Sequence, residues 1–319
     1  MNVEKILKEK LSIVVTTYNR ALYIEATLNT LVNSPLSKCS ITVLNNSSTD
    51  NTLDVISKFK EVFSDFKIVT HPFNIGGNAN IIRSLEYANK EYIWICHDDD
   101  TFDFSDVEDF AIALDKEEVD LIQIGAHVDG QWANYGGILA NTKDLISQGY
   151  QFFFYSTFTP CNVFRKTAFL PYIIAGYNNI INSYTIMPFL LSFYSENKKI
   201  YLTKHQMVKA QVGNQGYDGN SLVKWLYNTS LLLPNKKDCR LCFFNMFGGN
   251  RFQLASTALI RNGVKGPFLY FWKMYSFIDC IVFVIFFLIY IMRKLIQKLF
   301  LVSKKTSSII DTKYRPLLL

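Results

Sequence analysis

A second cysteine pair, a secretory leader and a glycine-rich dinucleotide fingerprint are all missing from this sequence. The six cysteines stand at 39, 96, 161, 239, 242 and 280, and only Cys239 and Cys242 have metal-like or redox-like spacing. With no second pair, the pattern argues against a zinc site and for reduced, mostly buried thiols. The opening residues MNVEKILKEK are charged, and the apolar run after them, LSIVV, is too short for the core of a secretory signal. A cytoplasmic body is therefore expected. No G-x-G-x-x-G follows the first apolar run, which disfavours a domain that binds NAD. Internal repeats and low-complexity linkers are absent as well.

What is present is greasy and unevenly charged. The 319 residues suffice for one large or two modest domains, and 49% hydrophobic with 15% aromatic content hints at contact with something apolar. From Arg261 onward, ten basic residues face only Asp279 and Asp311. That tail carries +8, so the whole chain's +6 leaves −2 on everything before it. A nearly neutral body with a basic, apolar tail points to a membrane surface more than to nucleic acid.

The rest of the chain is organised around residues 91–104, EYIWICHDDDTFDF. An apolar run of strand length, Tyr92 to Cys96, stops at His97 and three carboxylates, Asp98, Asp99 and Asp100. A continuous apolar run suits a strand buried on both faces of a parallel sheet, and the end of such a strand is where open α/β sheets bind ligands. Adjacent carboxylates repel one another, and a hard cation such as Mg²⁺ or Mn²⁺ would relieve them while bridging substrate phosphates. The plainer reading is a solvated acidic turn opening the next helix.

Before this stretch, strands are expected at residues 11–17, 41–44 and 67–70, each followed by a polar turn and then a helix. The turns are Tyr18-Asn19-Arg20, the cap-rich residues 45–50 (NNSSTD) and residues 71–77 (HPFNIGG). Alternation of this kind implies right-handed crossovers and a parallel sheet. All the polar loops must then gather with the acidic triplet at the carboxyl edge. Further on, a helix is expected at 107–114 and a strand at 119–125, and residues 126–151 read as loop with short pieces of structure. Residues 212–221 (VGNQGYDGNS) form either a mobile lid or a surface connection.

The tail is distinct. Residues 268–292 are almost wholly apolar but interrupted by Lys273 and Asp279, and the uncharged part, 280–292, falls short of the roughly 20 residues of a span. Basic residues follow directly, as in cytoplasmic anchoring on anionic lipid. An in-plane or re-entrant membrane helix is expected, with a core helix of a soluble fold as the alternative.

Four stretches in order, LSIVVTTYNR, VLNNSSTDNT, NIGGNANIIRSLEYA and EYIWICHDDD, resemble family 2 of the glycosyltransferases over roughly residues 11–105. The resemblance implies a GT-A fold, a Rossmann-like and mostly parallel α/β sheet with flanking helices, here followed by the membrane-associated tail. It divides the chain into a nucleotide-sugar half (1–125), an acceptor half (126–262) and the tail (263–319). It places a nucleoside diphosphate sugar against Thr17, Tyr18 and Arg20, with Asn45 and Asn46 toward base or ribose. Asn74 and Gly76 come beside the diphosphate, with Asn80 fixing that loop; tight helix packing explains the glycine equally well. Asp50 matches an acidic residue whose job is capping. The metal motif aligns either as Asp98-Asp99-Asp100 or as His97-Asp98-Asp99. Asp98 then contributes to donor binding, and Asp99 and Asp100 hold Mn²⁺ or Mg²⁺.

The family inverts the sugar and uses a carboxylate base in a Glu-Asp pair. The corresponding residues 176–188 (GYNNIINSYTIMP) contain no acid. Asp218 is the first candidate base, with Glu196, His205 and His127 behind it. The expected activity is metal-dependent transfer of a sugar to a lipid-linked oligosaccharide at the cytoplasmic face of the plasma membrane, in cell-surface polysaccharide synthesis. The alternatives are transfer to polyprenyl phosphate itself, and a catalytically inactive GT-A-like membrane scaffold.

Overall fold

The computed structural model describes residues 2–128, 131–132, 136–210 and 219–246, with isolated positions between 273 and 296. The chain divides into two compact units, Met1–Gly249 and Asn250–Leu319. The membrane tail expected over 263–319 thus falls almost entirely outside the described residues. Among those residues, no helix is long and apolar enough to cross a membrane.

The first unit is built on a sheet of ten strands: β1 (Leu11–Thr17), β2 (Ser40–Asn45), β3 (Phe66–Thr70), β4 (Tyr92–His97), β5 (Thr101–Phe102), β6 (Leu121–Val128), β7 (Gln131–Trp132), β8 (Ile138–Asn141), β9 (Asn162–Arg165) and β10 (Lys199–Lys209). Their order is β3-β2-β1-β4-β9-β6-β10-β5, with β7 on β6 and β8 on β10. Every residue of β1 and β2 is buried, so these strands carry runs of Val, Ile and Leu rather than an alternating pattern. The helix Ala21–Val32 turns Ile24, Thr27, Leu28 and Leu31 inward at helical spacing and returns the chain from β1 toward β2. Helices Thr52–Ser57 and Gly77–Ser84 make the next two crossovers.

The sheet is mixed, not mostly parallel. β3, β2, β1 and β4 pair in parallel, as do β6 and β10. Between these blocks lies β9, antiparallel to both β4 and β6. The residues ahead of it form the short aromatic helix Phe152–Ser156 and a tight turn, Thr159–Cys161, which feeds β9 back along the sheet. An antiparallel neighbour needs no long crossover, so a strand of four residues suffices. β5, β7 and β8 also join antiparallel. The five described cysteines are buried and unpaired. Cys239 and Cys242 lie on one helix, Lys236–Met246, and burial pushes the Cys242 thiol well above its usual range.

One glycine is demanded by close approach. A Cβ on Gly125 would stand 2.4 Å from the His205 carbonyl oxygen of β10, where the β6–β10 register is broken. The Gly125 amide donates instead to Thr203 Oγ1 at 3.0 Å. Gly125→Ala must therefore push two strands apart, and a loss of about 1–3 kcal/mol is expected in a denaturant melt. A melt unchanged from the parent would show that the strands yield freely.

Candidate active site

Strand register brings the loop-bearing ends into one row. Thr70 lies beside Asn45, Asn45 beside Thr17, and Thr16 beside His97. The loops leaving β1, β2, β3 and β4 therefore emerge side by side, and side chains stitch them together. Asn19, at φ 51°, accepts the Thr49 amide at 2.7 Å on its Oδ1, and its own amide donates to Ser48 Oγ at 2.9 Å. Asn tolerates that left-handed backbone better than most residues, so it suits this joint. Asn46 Nδ2 donates to Asn74 Oδ1 at 2.9 Å while its Oδ1 accepts the Ile75 amide at 2.9 Å. Asn80 spans His71 (2.9 Å) and the Leu44 carbonyl (3.3 Å), which fixes the third loop against β2.

The expected donor residues thus divide by what they touch. Asn45 is fully buried and accepts both the Ser48 amide (3.1 Å) and its hydroxyl (2.6 Å). Both asparagines are committed to loop architecture. Tyr18 is 40% exposed. Gly76 has φ 86°, and a Cβ there would meet nothing within 4 Å. Backbone conformation, not helix packing, is what this position requires. Its amide donates to Asn74 Oδ1 at 2.8 Å. Asp50 accepts the Thr52 amide at 3.0 Å, the first residue of the following helix.

The acidic turn is held from both sides. Beyond it, Phe102 and Phe104 fold back edge-on against the buried Trp94, with ring centroids 6.0 and 5.7 Å away. On the near side, Thr27 Oγ1 donates to the Asp98 carbonyl at 3.1 Å, a contact no local sequence signal announces. The Asp98 side chain is only 5% exposed and meets Arg20 Nη1 at 3.3 Å. Burial pushes its carboxyl up to about 6, against the opposing pull of the Thr17 hydroxyl and the Arg20 guanidinium. Neither Thr17 Oγ1 nor Asp98 Oδ2 has a hydrogen-bond partner of ordinary geometry, although the two face each other. Arg20 also pairs with Asp99 and lies 5.7 Å above the Tyr23 ring.

His97, Asp99 and Asp100 converge, each offering a ligand atom within 4.8 Å of the others. The His97 ring keeps a quarter of its surface exposed, yet its Nε2 is enclosed without a hydrogen-bond partner. Burial lowers the imidazole to about 4, with Arg20 adding to the effect and Asp99 opposing it. A neutral imidazole beside two carboxylates is a donor set for a divalent cation. Of the two alignments of the motif, the geometry groups His97 with Asp99 and Asp100 and turns Asp98 toward Arg20.

The candidate bases are dispersed. Asp218 lies outside the described residues. Glu196 precedes β10, at the amino edge of the sheet, and pairs with Lys198 at 3.3 Å. His205 Nε2 is 2.8 Å from Asp106 on a half-exposed surface. His127 is near the carboxyl end of β6, opposite Trp132 and Lys209. Residues 176–188 pack against the helix Gly77–Ser84 through Gly176, whose Cβ would meet Ile82 and Phe189. Amides stand there where an acid was expected: Asn182 Nδ2 donates to Asn179 Oδ1 (2.7 Å) and Asn228 Nδ2 to Asn182 Oδ1 (3.2 Å).

The family model for glycosyl transferase family 2 matches residues 12–177, just over half of the chain. The chain belongs to this family. The abequosyltransferase RfbV of Salmonella typhimurium is 32% identical over 94 residues, 28% of this chain and 28% of that protein. The chain spans at most 40% of the length of the curated relatives it matches. Among solved structures, Staphylococcus aureus TarS 1-349 in complex with UDP-GlcNAc superposes with a TM-score of 0.55 at 18% identity, covering 78% of this chain and 79% of that one. The mannosyltransferase PcManGT of Pyrobaculum calidifontis, in complex with GDP-Man and Mn²⁺, gives 0.55 at 12% identity over 96% and 88%. The fold of this family 2 chain is therefore GT-A-like, with the mixed sheet described above.

Proposed function

We propose that this chain is an inverting, metal-dependent glycosyltransferase that moves a sugar from a nucleoside diphosphate sugar to a lipid-linked oligosaccharide in cell-surface polysaccharide synthesis. The convergence of His97, Asp99 and Asp100 beside three interlocked loops carries this reading. The enclosed, unpartnered Nε2 and the two carboxylates fit Mn²⁺ or Mg²⁺. A cation held there neutralises charge on the departing nucleoside diphosphate. Arg20, more than a third exposed and held by Asp98, Asp99 and the Tyr23 ring face, would turn from them to a diphosphate. UDP-GlcNAc in the TarS complex and GDP-Man with Mn²⁺ in the PcManGT complex support the donor class. Abequosyltransferase RfbV supports the polysaccharide context. Residues 1–125 then serve the donor and 126–262 the acceptor, while 263–319 attach the protein to the cytoplasmic face of the plasma membrane.

The absence of an acid in residues 176–188 favours a second reading, an inactive scaffold that keeps the fold. Isothermal titration of UDP and GDP, each with and without Mn²⁺, separates the two. A transferase binds one nucleotide and gains at least about tenfold in affinity from the metal, some 1.4 kcal/mol. No metal-dependent binding of either nucleotide would overturn the enzymatic reading.

A further inference from the structure

Beside the site, the surface loses its charge. Residues 167–195 contain no Asp, Glu, Lys, Arg or His. Their outer side exposes Leu170 by 43%, Ile174 by 72% and Ile181 by 80%. The inner side is packed: Gly176 abuts Ile82 and Phe189, and Asn179 is buried. The three sit on separate short elements, Leu170–Tyr172, Ile173–Asn178 and Ile180–Asn182, within this one uncharged segment.

A second exposed apolar stretch adjoins this segment. Asn228 Nδ2 donates to Asn182 Oδ1 at 3.2 Å, so the Asn228 face of the helix Gly219–Ser230 adjoins Ile181. Leu231 and Leu232 extend that face by three and four residues and are 50% and 55% exposed. Lys224 lies one turn earlier on it, and Lys236 and Lys237 follow closely; all three are exposed. Glu86 is engaged by Tyr177 Oη and Arg83, and Asp238, next to Lys237, accepts from Tyr194 Oη at 2.9 Å. The patch adjoins the donor loops, because Asn78 Nδ2, just past Gly76, donates to the Ile180 carbonyl at 3.0 Å.

We propose that this face, centred on Ile174, Ile181, Leu231 and Leu232, seats the catalytic body on an anionic lipid surface, separately from any contact made by the tail. Exposed aliphatic side chains with lysines at their margin match the acyl boundary and the negative headgroups respectively. A second copy of the chain would bring the same lysines together, so the charge favours lipid. The contact gives the proposed lipid-linked acceptor a short route to the donor loops; its purpose rests on that reading, while its existence is measured without sugar transfer.

The test uses the full chain. The described native cysteines are buried, so Ile181→Cys in a Cys280→Ser background takes an environment-sensitive dye at the patch. Glu117→Cys takes the same dye ahead of β6, at the opposite edge of the sheet. With vesicles of phosphatidylcholine and phosphatidylglycerol, the dye at 181 is expected to shift blue and brighten several-fold, and the dye at 117 to stay unchanged. Phosphatidylcholine alone should give a weaker response. Unlabelled Leu231→Ser/Leu232→Ser should bind the anionic vesicles at least about tenfold more weakly with an unchanged melt. A dye at 181 that stays water-like while the protein sediments with vesicles would overturn the proposal. So would absence of vesicle binding, or a blue shift that needs only higher protein concentration, which would mean that another copy covers the face.

Discussion

Asp99→Asn is expected to leave a folded protein whose sugar transfer is at least about a thousandfold slower. The substitution keeps the shape of the side chain and removes only its charge. Asp99 is about one-third exposed and pairs with an Arg20 that is itself more exposed, so the ion pair adds little to stability, of the order of 0–1 kcal/mol. Function is another matter. With Asp99 neutral, the cluster keeps one carboxylate and one imidazole, too little to hold a hard cation against the diphosphate's own competition for it. Asp103→Asn serves as the comparison. It stands four residues on and caps the Ser105 amide at 3.0 Å, outside the cluster. Transfer from a panel of nucleotide sugars, followed by mass spectrometry, should be lost for Asp99→Asn and retained for Asp103→Asn, with both melting close to the parent. Activity of Asp99→Asn within tenfold of the parent would remove Asp99 from the proposed metal site.

The amino-terminal half of the fold was legible because its signals are local. Buried parallel strands read as apolar runs: β1 falls on residues 11–17 as its apolar run predicts, and a helix follows its polar turn. The gathering of the loops followed from topology, and the bonds from Asn19 to Thr49 and from Asn46 to Asn74 express it in side chains. What stayed hidden depended on distant partners. β9 is four residues long and is defined by β4 and β6 on either side of it. Nothing in NVFR announces that. Thr27 reads as one more residue on a helix face until the Asp98 carbonyl arrives from 71 residues away. The register of the acidic motif was likewise undecidable from the string HDDD, since burial of Asp98 and convergence of its neighbours are both tertiary facts.

Trp94→Ala should cost about 3–5 kcal/mol, a large fraction of the roughly 5–15 kcal/mol that holds a domain folded. Trp94 is fully buried in β4 and packs edge-on against Phe102, Phe104 and Phe110 at 5.6–6.0 Å. Its Nε1 donates to the Pro160 carbonyl at 2.8 Å, tying β4 to the turn that launches β9. Alanine leaves a cavity among three phenyl rings and a buried carbonyl without its donor. Trp94→Phe separates those contributions: it keeps most of the ring contact, forfeits the hydrogen bond, and should cost about 1–3 kcal/mol. Phe102 and Phe104 follow Asp100 by two and four residues, so the same contacts that stabilise the fold also hold the acidic turn in place. In urea melts the two variants should therefore rank Ala well below Phe, and Trp94→Ala should also lose Mn²⁺-dependent nucleotide binding under conditions where it remains folded. Equal melts would mean that the Pro160 bond, not the aromatic cluster, carries the stability; normal nucleotide binding by a folded Trp94→Ala would mean that the turn keeps its shape without the ring behind it.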